Sequence, residues 1–137
     1  MKRMQDRVFL DTNILLYAFS TKDLQKQNIA KNILLSDAVI STQVINEVTV
    51  NLIKKFDFSE DNIQKFLSSS YSRYQVVDLN YELFSTASSL RKKYMFSYYD
   101  SVIVSAALIS DCSTLYSEDM HHDLLIENRL RVVNPFK

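Results

Sequence analysis

Four acidic residues stand where an α/β chain could do chemistry on a phosphate: Asp11, Glu47, Asp100 and Asp119. Asp11 opens the triplet Asp11-Thr12-Asn13, directly after the apolar run Val8-Phe9-Leu10. That run reads as a buried strand. An acid at its carboxyl end lies in the crevice where open α/β sheets take their ligands. Glu47 and Asp100 each fall in the first turns of a predicted helix, and Asp119 follows the short apolar run Thr114-Leu115-Tyr116 by a few residues. Two like charges 4 Å apart repel by about 4 kcal/mol at an effective dielectric near 20. Four converging carboxylates would therefore drain a domain's marginal stability unless protons or cations neutralise them. Such a cluster makes physical sense as a Mg²⁺ or Mn²⁺ site, where a water on the ion can attack a phosphorus centre.

Each acid also has a plainer reading. Asp11 suits the N-cap of the helix that follows it, a role compatible with holding a ligand. Glu47 could be a solvated acid that complements its helix dipole. Asp100 could cap in partnership with Ser97. Asp119 could be a turn residue alongside Ser117 and Glu118, and Glu118 is the neighbouring candidate for its place. Asp100 carries the strongest case, because its helix is almost wholly apolar or small, with Val102, Ile103, Val104, Ala106, Ala107, Leu108 and Ile109. A helix buried on most sides delivers an acid in its first turn to a pocket. Thr12 and Asn13 add small polar groups to the same crevice.

Other residues weigh less. The adjacent pair His121-His122 has poor chelate spacing and reads as a solvated turn. Arg91-Lys92-Lys93 and Lys54-Lys55 read as solvated helix faces, useful to a phosphate only if they flank the crevice. The eight Phe and eight Tyr are expected mostly in the core; Tyr98 and Tyr99, beside Asp100, are placed where they could stack on a base.

These residues need a scaffold, and the chain alternates strand and helix signals along its whole length. Strands are expected at Val8–Leu10, Asp37–Ser41, Tyr74–Asp78, Thr114–Tyr116 and Arg131–Val133, the last stopped by Pro135. Helices are expected from Asn13 to Phe19, from Asp23 to Leu35 with a stripe of Leu24, Ile29, Ile33 and Leu34, and from Ser41 or Thr42 to about Phe56 on Val44, Val48 and Leu52. Others run from Ser59 toward Tyr71 on Ile63, Phe66 and Leu67, with Ser68-Ser69-Ser70 as its end; from Asn80 to Tyr94 on Leu83, Phe84, Ala87 and Leu90; and from a Ser97 cap over Tyr98–Ile109. The alternation predicts an α/β fold with a mainly parallel sheet of about four to five strands. The 137 residues fit one domain, 1–137, with no linker, repeat or low-complexity segment.

Composition narrows the function. A hydrophobic fraction of 47% excludes a disordered chain, and a formal net charge of zero means that nucleic acid must be met by local patches. The sequence holds no glycine. That removes the P-loop, the dinucleotide-binding fingerprint and the nucleophile elbow, all of which need glycine, and leaves side chains and metal to manage a phosphate. Left-handed backbone positions must fall to residues such as Asn80, Asn128 or Asp111. The basic N-terminal residues lead into no long apolar stretch, so no signal peptide is expected, and no apolar run reaches the roughly 18–20 residues of a membrane span. The lone Cys112 suits a small buried core residue of a cytoplasmic protein.

Taken in order, Val8-Phe9-Leu10-Asp11-Thr12-Asn13, Ser41-Thr42-Gln43-Val44-Ile45-Asn46-Glu47, Tyr99-Asp100-Ser101-Val102-Ile103-Val104-Ser105-Ala106-Ala107, Leu115-Tyr116-Ser117-Glu118-Asp119-Met120 and Val132-Val133-Asn134-Pro135-Phe136 resemble the PIN-domain ribonucleases, above all the short VapC-type toxins of toxin–antitoxin pairs. The resemblance covers essentially the full length. It implies a three-layer α/β/α fold with acids converging at the strand tips: Asp11, Glu47, Asp100 and Asp119 as catalytic, metal-holding acids, with Thr12, Asn13 and Ser117 as polar supports. It further implies Mg²⁺- or Mn²⁺-dependent endonucleolytic hydrolysis of RNA by metal-activated water, a second copy of the chain as partner, and an antitoxin that blocks the crevice. Many similar chains carry a glycine soon after the last acid; here His121-His122-Asp123 stands there, so the loop is expected to differ. Two other readings share the acidic α/β pattern. A phospho-acceptor signalling domain is opposed by the lack of paired acids before Asp11 and of a suitable Lys loop near the C-terminus. A degenerate PIN-like module would bind RNA or a partner without cleaving.

Overall fold

A computed structural model describes residues 7–137; the basic N-terminal residues on which the signal-peptide expectation partly rests lie outside them. The described residues form β1 (Val8–Leu10), α1 (Thr12–Phe19), α2 (Leu24–Ile33), β2 (Ala38–Ser41), α3 (Thr42–Phe56), α4 (Glu60–Arg73), β3 (Gln75–Val77), α5 (Tyr81–Tyr94), α6 (Tyr98–Ile109), β4 (Thr114–Tyr116), β5 (Leu125–Ile126) and β6 (Leu130–Val133). Every helix starts at a polar cap (Asp11, Asp23, Ser41, Ser59, Asn80 or Ser97) whose side chain accepts a hydrogen bond from a backbone N–H of the first turn. These caps satisfy donors that the helix itself leaves open.

The strands form one six-stranded sheet in the order β3-β2-β1-β4-β6-β5, parallel except where β5 pairs antiparallel with β6. From β1 the chain steps through β2 to β3, then returns past β1 to β4. Right-handed crossovers therefore put α1 to α4 on one face and α5 with α6 on the other, a three-layer α/β/α arrangement. The reversal of direction makes the gap between the tips of β1 and β4 a topological switch point, the place where such sheets open a crevice. Asp11 follows β1 and Ser117 follows β4, so both stand at its mouth.

Phe9, Leu10, Val39, Ile40 and Leu115 are buried on the sheet, packed by Val44, Val48 and Leu52 of α3 and by α6, of which Ser101 to Leu108 are all buried. Burying each large aliphatic or aromatic side chain contributes about 1.5–3 kcal/mol. Ser105 is buried yet satisfied: its hydroxyl donates to the Leu83 carbonyl at 2.7 Å and ties α6 to α5.

The fold corrects several expectations. The sheet has six strands rather than four or five, because the two-residue β5 is too short to leave a periodic signal. Leu24 and Phe84 are exposed, and Ala30 is the residue that α2 buries. Ser68-Ser69-Ser70 lies inside α4, which continues to Arg73, and Ser70 is buried. Among the aromatic residues described, only Phe9 and Phe66 are buried and no Tyr is, while others such as Phe56, Phe58 and Tyr116 pack partly buried against the core. The left-handed positions are Asp57, Met95, Asp111, Asp123, Glu127 and Asn128. Asp111 and Asn128 are as expected; Asn80 is not, having an extended backbone as the cap of α5. Met95 ends α5 in this conformation at φ 64°, where a Cβ costs about 1–2 kcal/mol.

Candidate active site

The site is built outward from Thr12. Its backbone N–H donates to Asp11 Oδ1 at 2.7 Å, and its hydroxyl donates to Glu47 Oε2 at 2.7 Å. One buried residue thus holds the acid after β1 and the acid of α3 together. The other oxygen of Asp11, Oδ2, accepts from the Ser117 hydroxyl at 2.9 Å across the switch-point crevice. The second oxygen of Glu47, Oε1, accepts from Gln43 Nε2 at 3.0 Å, one helical turn earlier in α3. Four donors therefore pin four carboxylate oxygens, and neither acid is free to swing away from the other.

Asp100 enters from the opposite layer, in the first turn of α6. Its backbone N–H donates to the Ser97 cap at 3.2 Å, while its carboxylate has no hydrogen-bond partner among the described residues. The reciprocal capping bond that would make Asp100 a mere partner of Ser97 is absent from these bonds. Its charge is felt at Asp11. The Asp11 pKa is raised from 3.8 to about 6, mainly because burial strips its hydration. The bonds from Thr12 and Ser117 oppose the shift, and the charges of Glu47 and Asp100 add to it. Asp11 keeps some exposed area, but its carboxylate lies deep enough that lost hydration outweighs two hydrogen bonds.

Asp119 stands further out. It is exposed, and its Oδ2 accepts from Asn13 Nδ2 at 3.0 Å. Asn13 thus supports Asp119, while Thr12 and Ser117 support Asp11 and Glu47. Glu118 is otherwise engaged. It accepts from Tyr17 Oη at 2.7 Å and from Lys26 Nζ at 2.7 Å, and Lys26 lies over the Tyr17 and Phe136 rings. Burial works to raise the Glu118 pKa, but the bonds from Lys26 and Tyr17 outweigh it and hold the carboxyl below its ordinary value. Glu118 is a clamp between α1, α2 and the loop after β4, whereas Asp119 faces Asn13.

The donor set suits a hard cation, since it consists of carboxylate and hydroxyl oxygens. Among the described residues no three acidic, histidine or cysteine side chains lie close enough to form a ready-made cage. A small divalent ion that keeps several waters needs only one or two direct carboxylates, so the Asp11–Glu47 pair is enough to fit it. The histidines do not contribute: His121 is exposed, and His122 Nδ1 accepts from the Asn134 N–H at 3.0 Å to fasten the C-terminal segment.

Two contributors escaped the sequence reading. Gln43 was legible only as a polar residue four positions before Glu47, the spacing at which helical side chains meet. The Tyr17–Lys26–Glu118 clamp joins three distant segments, and nothing local announces it.

The chain belongs to the PIN-domain family: the family profile for the PIN domain matches residues 8–126. Solved structures of similar fold include a toxin–antitoxin complex from Klebsiella pneumoniae, with TM-score 0.69 and 21% identity, covering 93% of this chain and 97% of that one. VapC20 of Mycobacterium tuberculosis, described as a sarcin–ricin-loop-cleaving toxin, gives TM-score 0.66 and 16% identity over 82% of this chain and 89% of its own. VapBC2 of Rickettsia felis, bound to a DNA fragment from its promoter, gives 0.66 and 21% over 93% and 99%. No curated protein sequence matches the chain. No helix among the described residues is long and apolar enough to cross a membrane.

Proposed function

We propose that this protein is a Mg²⁺- or Mn²⁺-dependent endoribonuclease, the toxin of a toxin–antitoxin pair. The observation that carries the reading is the Thr12-centred bridge: a single residue holds Asp11 at 2.7 Å and Glu47 at 2.7 Å, with the Asp100 charge close enough to raise Asp11. Uncompensated, that arrangement is costly, and structure that breaks a local rule without other gain tends to mark function. Asp11 and Glu47 would hold the cation directly and Asp100 through the waters that such an ion keeps, with Asp119 at the outer rim. When bound, such a cation offsets the clustered negative charge, polarises a phosphoryl oxygen and acidifies water. The chain's own residues fix the carboxylates in place: Thr12 and Ser117 orient Asp11, Thr12 and Gln43 orient Glu47, and Asn13 orients Asp119.

The antitoxin assignment is supported by the similar structures, which include toxin–antitoxin complexes. An antitoxin that covers the crevice and a second copy of the chain are the proposed protein partners, RNA the substrate, and the cytoplasm the site of action. The test is cleavage of RNA with Mg²⁺ or Mn²⁺ by wild type, Asp11→Ala and Asp100→Ala. The expected result is a loss of about 100-fold or more in both variants, the scale of removing a group that acts on the reacting centre. Equal activity in all three would refute the reading, and RNA binding without cleavage by wild type would favour the degenerate module.

A further inference from the structure

We propose that Gln43 is a positioning residue that sets the separation of Glu47 and Asp100, and through it the affinity of the cation site; this rests on the cation-dependent reading above. Gln43 is buried on the first turn of α3, with 8% of its surface exposed. Its Nε2 donates to Glu47 Oε1 at 3.0 Å and reaches the carbonyl of Tyr99 at 3.4 Å. Tyr99 immediately precedes Asp100 in the first turn of α6. One amide thus spans the two helical layers at the strand tips, joining the α3 acid to the backbone that carries the α6 acid.

The orientation of that amide is not arbitrary. A carboxylate oxygen and a backbone carbonyl both only accept, so both must meet the NH₂ end. The other end pays for this: Gln43 Oε1 is buried with no hydrogen-bond partner among the described residues. A buried acceptor left unsatisfied destabilises the fold, since it gives up its hydration for no bond in return. A leucine of similar size would avoid that cost, and the two abandoned acceptors are not left stranded: Glu47 is half-buried and still accepts from Thr12, and the Tyr99 carbonyl lies in the first turn of α6, where the helix supplies a donor. Stability therefore does not explain a glutamine at this place, whereas holding two acids in register does. Groups that orient metal-holding side chains typically change metal affinity 10- to 100-fold when removed.

The experiment is Mn²⁺ binding by calorimetry, alongside urea unfolding in chelator, for the full chain as wild type, Gln43→Leu and the closer-shaped Gln43→Met. The expected result is that both variants unfold in chelator at the same urea concentration as wild type or higher, yet bind Mn²⁺ about 10- to 100-fold more weakly. Mn²⁺ affinity within about twofold of wild type would overturn the proposal, as would weaker binding matched by an equal loss of metal-free stability, the signature of a merely structural role. If wild type itself binds no Mn²⁺, the cation reading falls and takes this proposal with it; if wild type binds and the variants bind equally, only the role of Gln43 falls.

Discussion

Asp11→Asn should stabilise the metal-free protein at neutral pH while removing its response to Mg²⁺. The Asp11 carboxyl titrates near 6 in the fold against 3.8 as an ordinary aspartate. Between those values the folded state holds a proton that the unfolded chain has released, so stability falls as pH rises through this window and levels off above it. The ionised carboxylate therefore costs the metal-free fold about 3 kcal/mol at pH ~7.5, about half of that at pH ~5 and little at pH ~4. Asparagine resembles the protonated acid in shape and neutrality and escapes the cost. The partial exposure of Asp11 trims the gain at neutral pH toward about 2 kcal/mol. In a protein of this size that is a rise of several degrees in Tm.

The assay is urea unfolding of wild type and Asp11→Asn in chelator at pH ~7.5, ~5 and ~4, then at pH ~7.5 with Mg²⁺. The gain should shrink as the pH falls, because protonation progressively relieves wild type of the same charge. Mg²⁺ should reverse the ranking, since an ion at 100 times its Kd stabilises wild type by about 2.7 kcal/mol and the variant by little. An Asp11→Asn variant no more stable than wild type at pH ~7.5 in chelator, or a gain that does not depend on pH, would refute the electrostatic account of the site.

The Glu118 clamp and the buried thiol give two further tests. Glu118→Gln should leave RNA cleavage within a few-fold of wild type but lower Tm at neutral pH. Because Lys26 and Tyr17 hold the Glu118 pKa below its ordinary value, that difference should be present above the ordinary carboxylate range and vanish as pH falls through the lowered value; a collapse of cleavage with Tm unchanged would instead make Glu118 part of the site. Burial pushes the Cys112 thiol up to about 11, with Ser110 Oγ 3.4 Å away. Iodoacetamide near pH ~8 should therefore label it only in denaturant, and rapid labelling of the native protein would show that the α6–β4 turn opens.

The parts of the fold that were legible in the sequence are those where one local signal suffices. The Ser97 cap before the apolar stretch placed α6 at Tyr98–Ile109, and Val44, Val48 and Leu52 marked the buried face of α3. Strand β1 was readable because both its faces are covered, which leaves a run of apolar residues. Where the signal depends on the partner, the reading fails. Leu24 looked like a core residue by type, but the face of α2 that packs inward centres on Ala30, whose small side chain admits close approach to neighbouring elements. β5 exists only because β6 offers it an edge, and two residues carry no period of their own.

The same division runs through the site. Asp11, Glu47, Asp100 and Asp119 could be picked out singly, because each follows a strand or opens a helix, and topology alone brings strand tips together. What the sequence could not rank was their standing relative to one another. Asp11 and Glu47 share Thr12, Asp100 bears on them through its charge, and Asp119 is held apart by Asn13. That ranking comes from bonds between residues 35 and 106 positions apart, such as Thr12 to Glu47 and Ser117 to Asp11. It also explains why Gln43 was missed. A glutamine one turn before a glutamate is unremarkable on any helix, and it gains its meaning only when the fold brings the Tyr99 carbonyl to its amide nitrogen and leaves its oxygen without a partner among the described residues. The absence of glycine bears on the proposed phosphate chemistry in the same way: it leaves a cation held by side-chain oxygens as the means of meeting a phosphate, and buried polar groups such as Thr12, Ser117 and Gln43 keep those carboxylates in place.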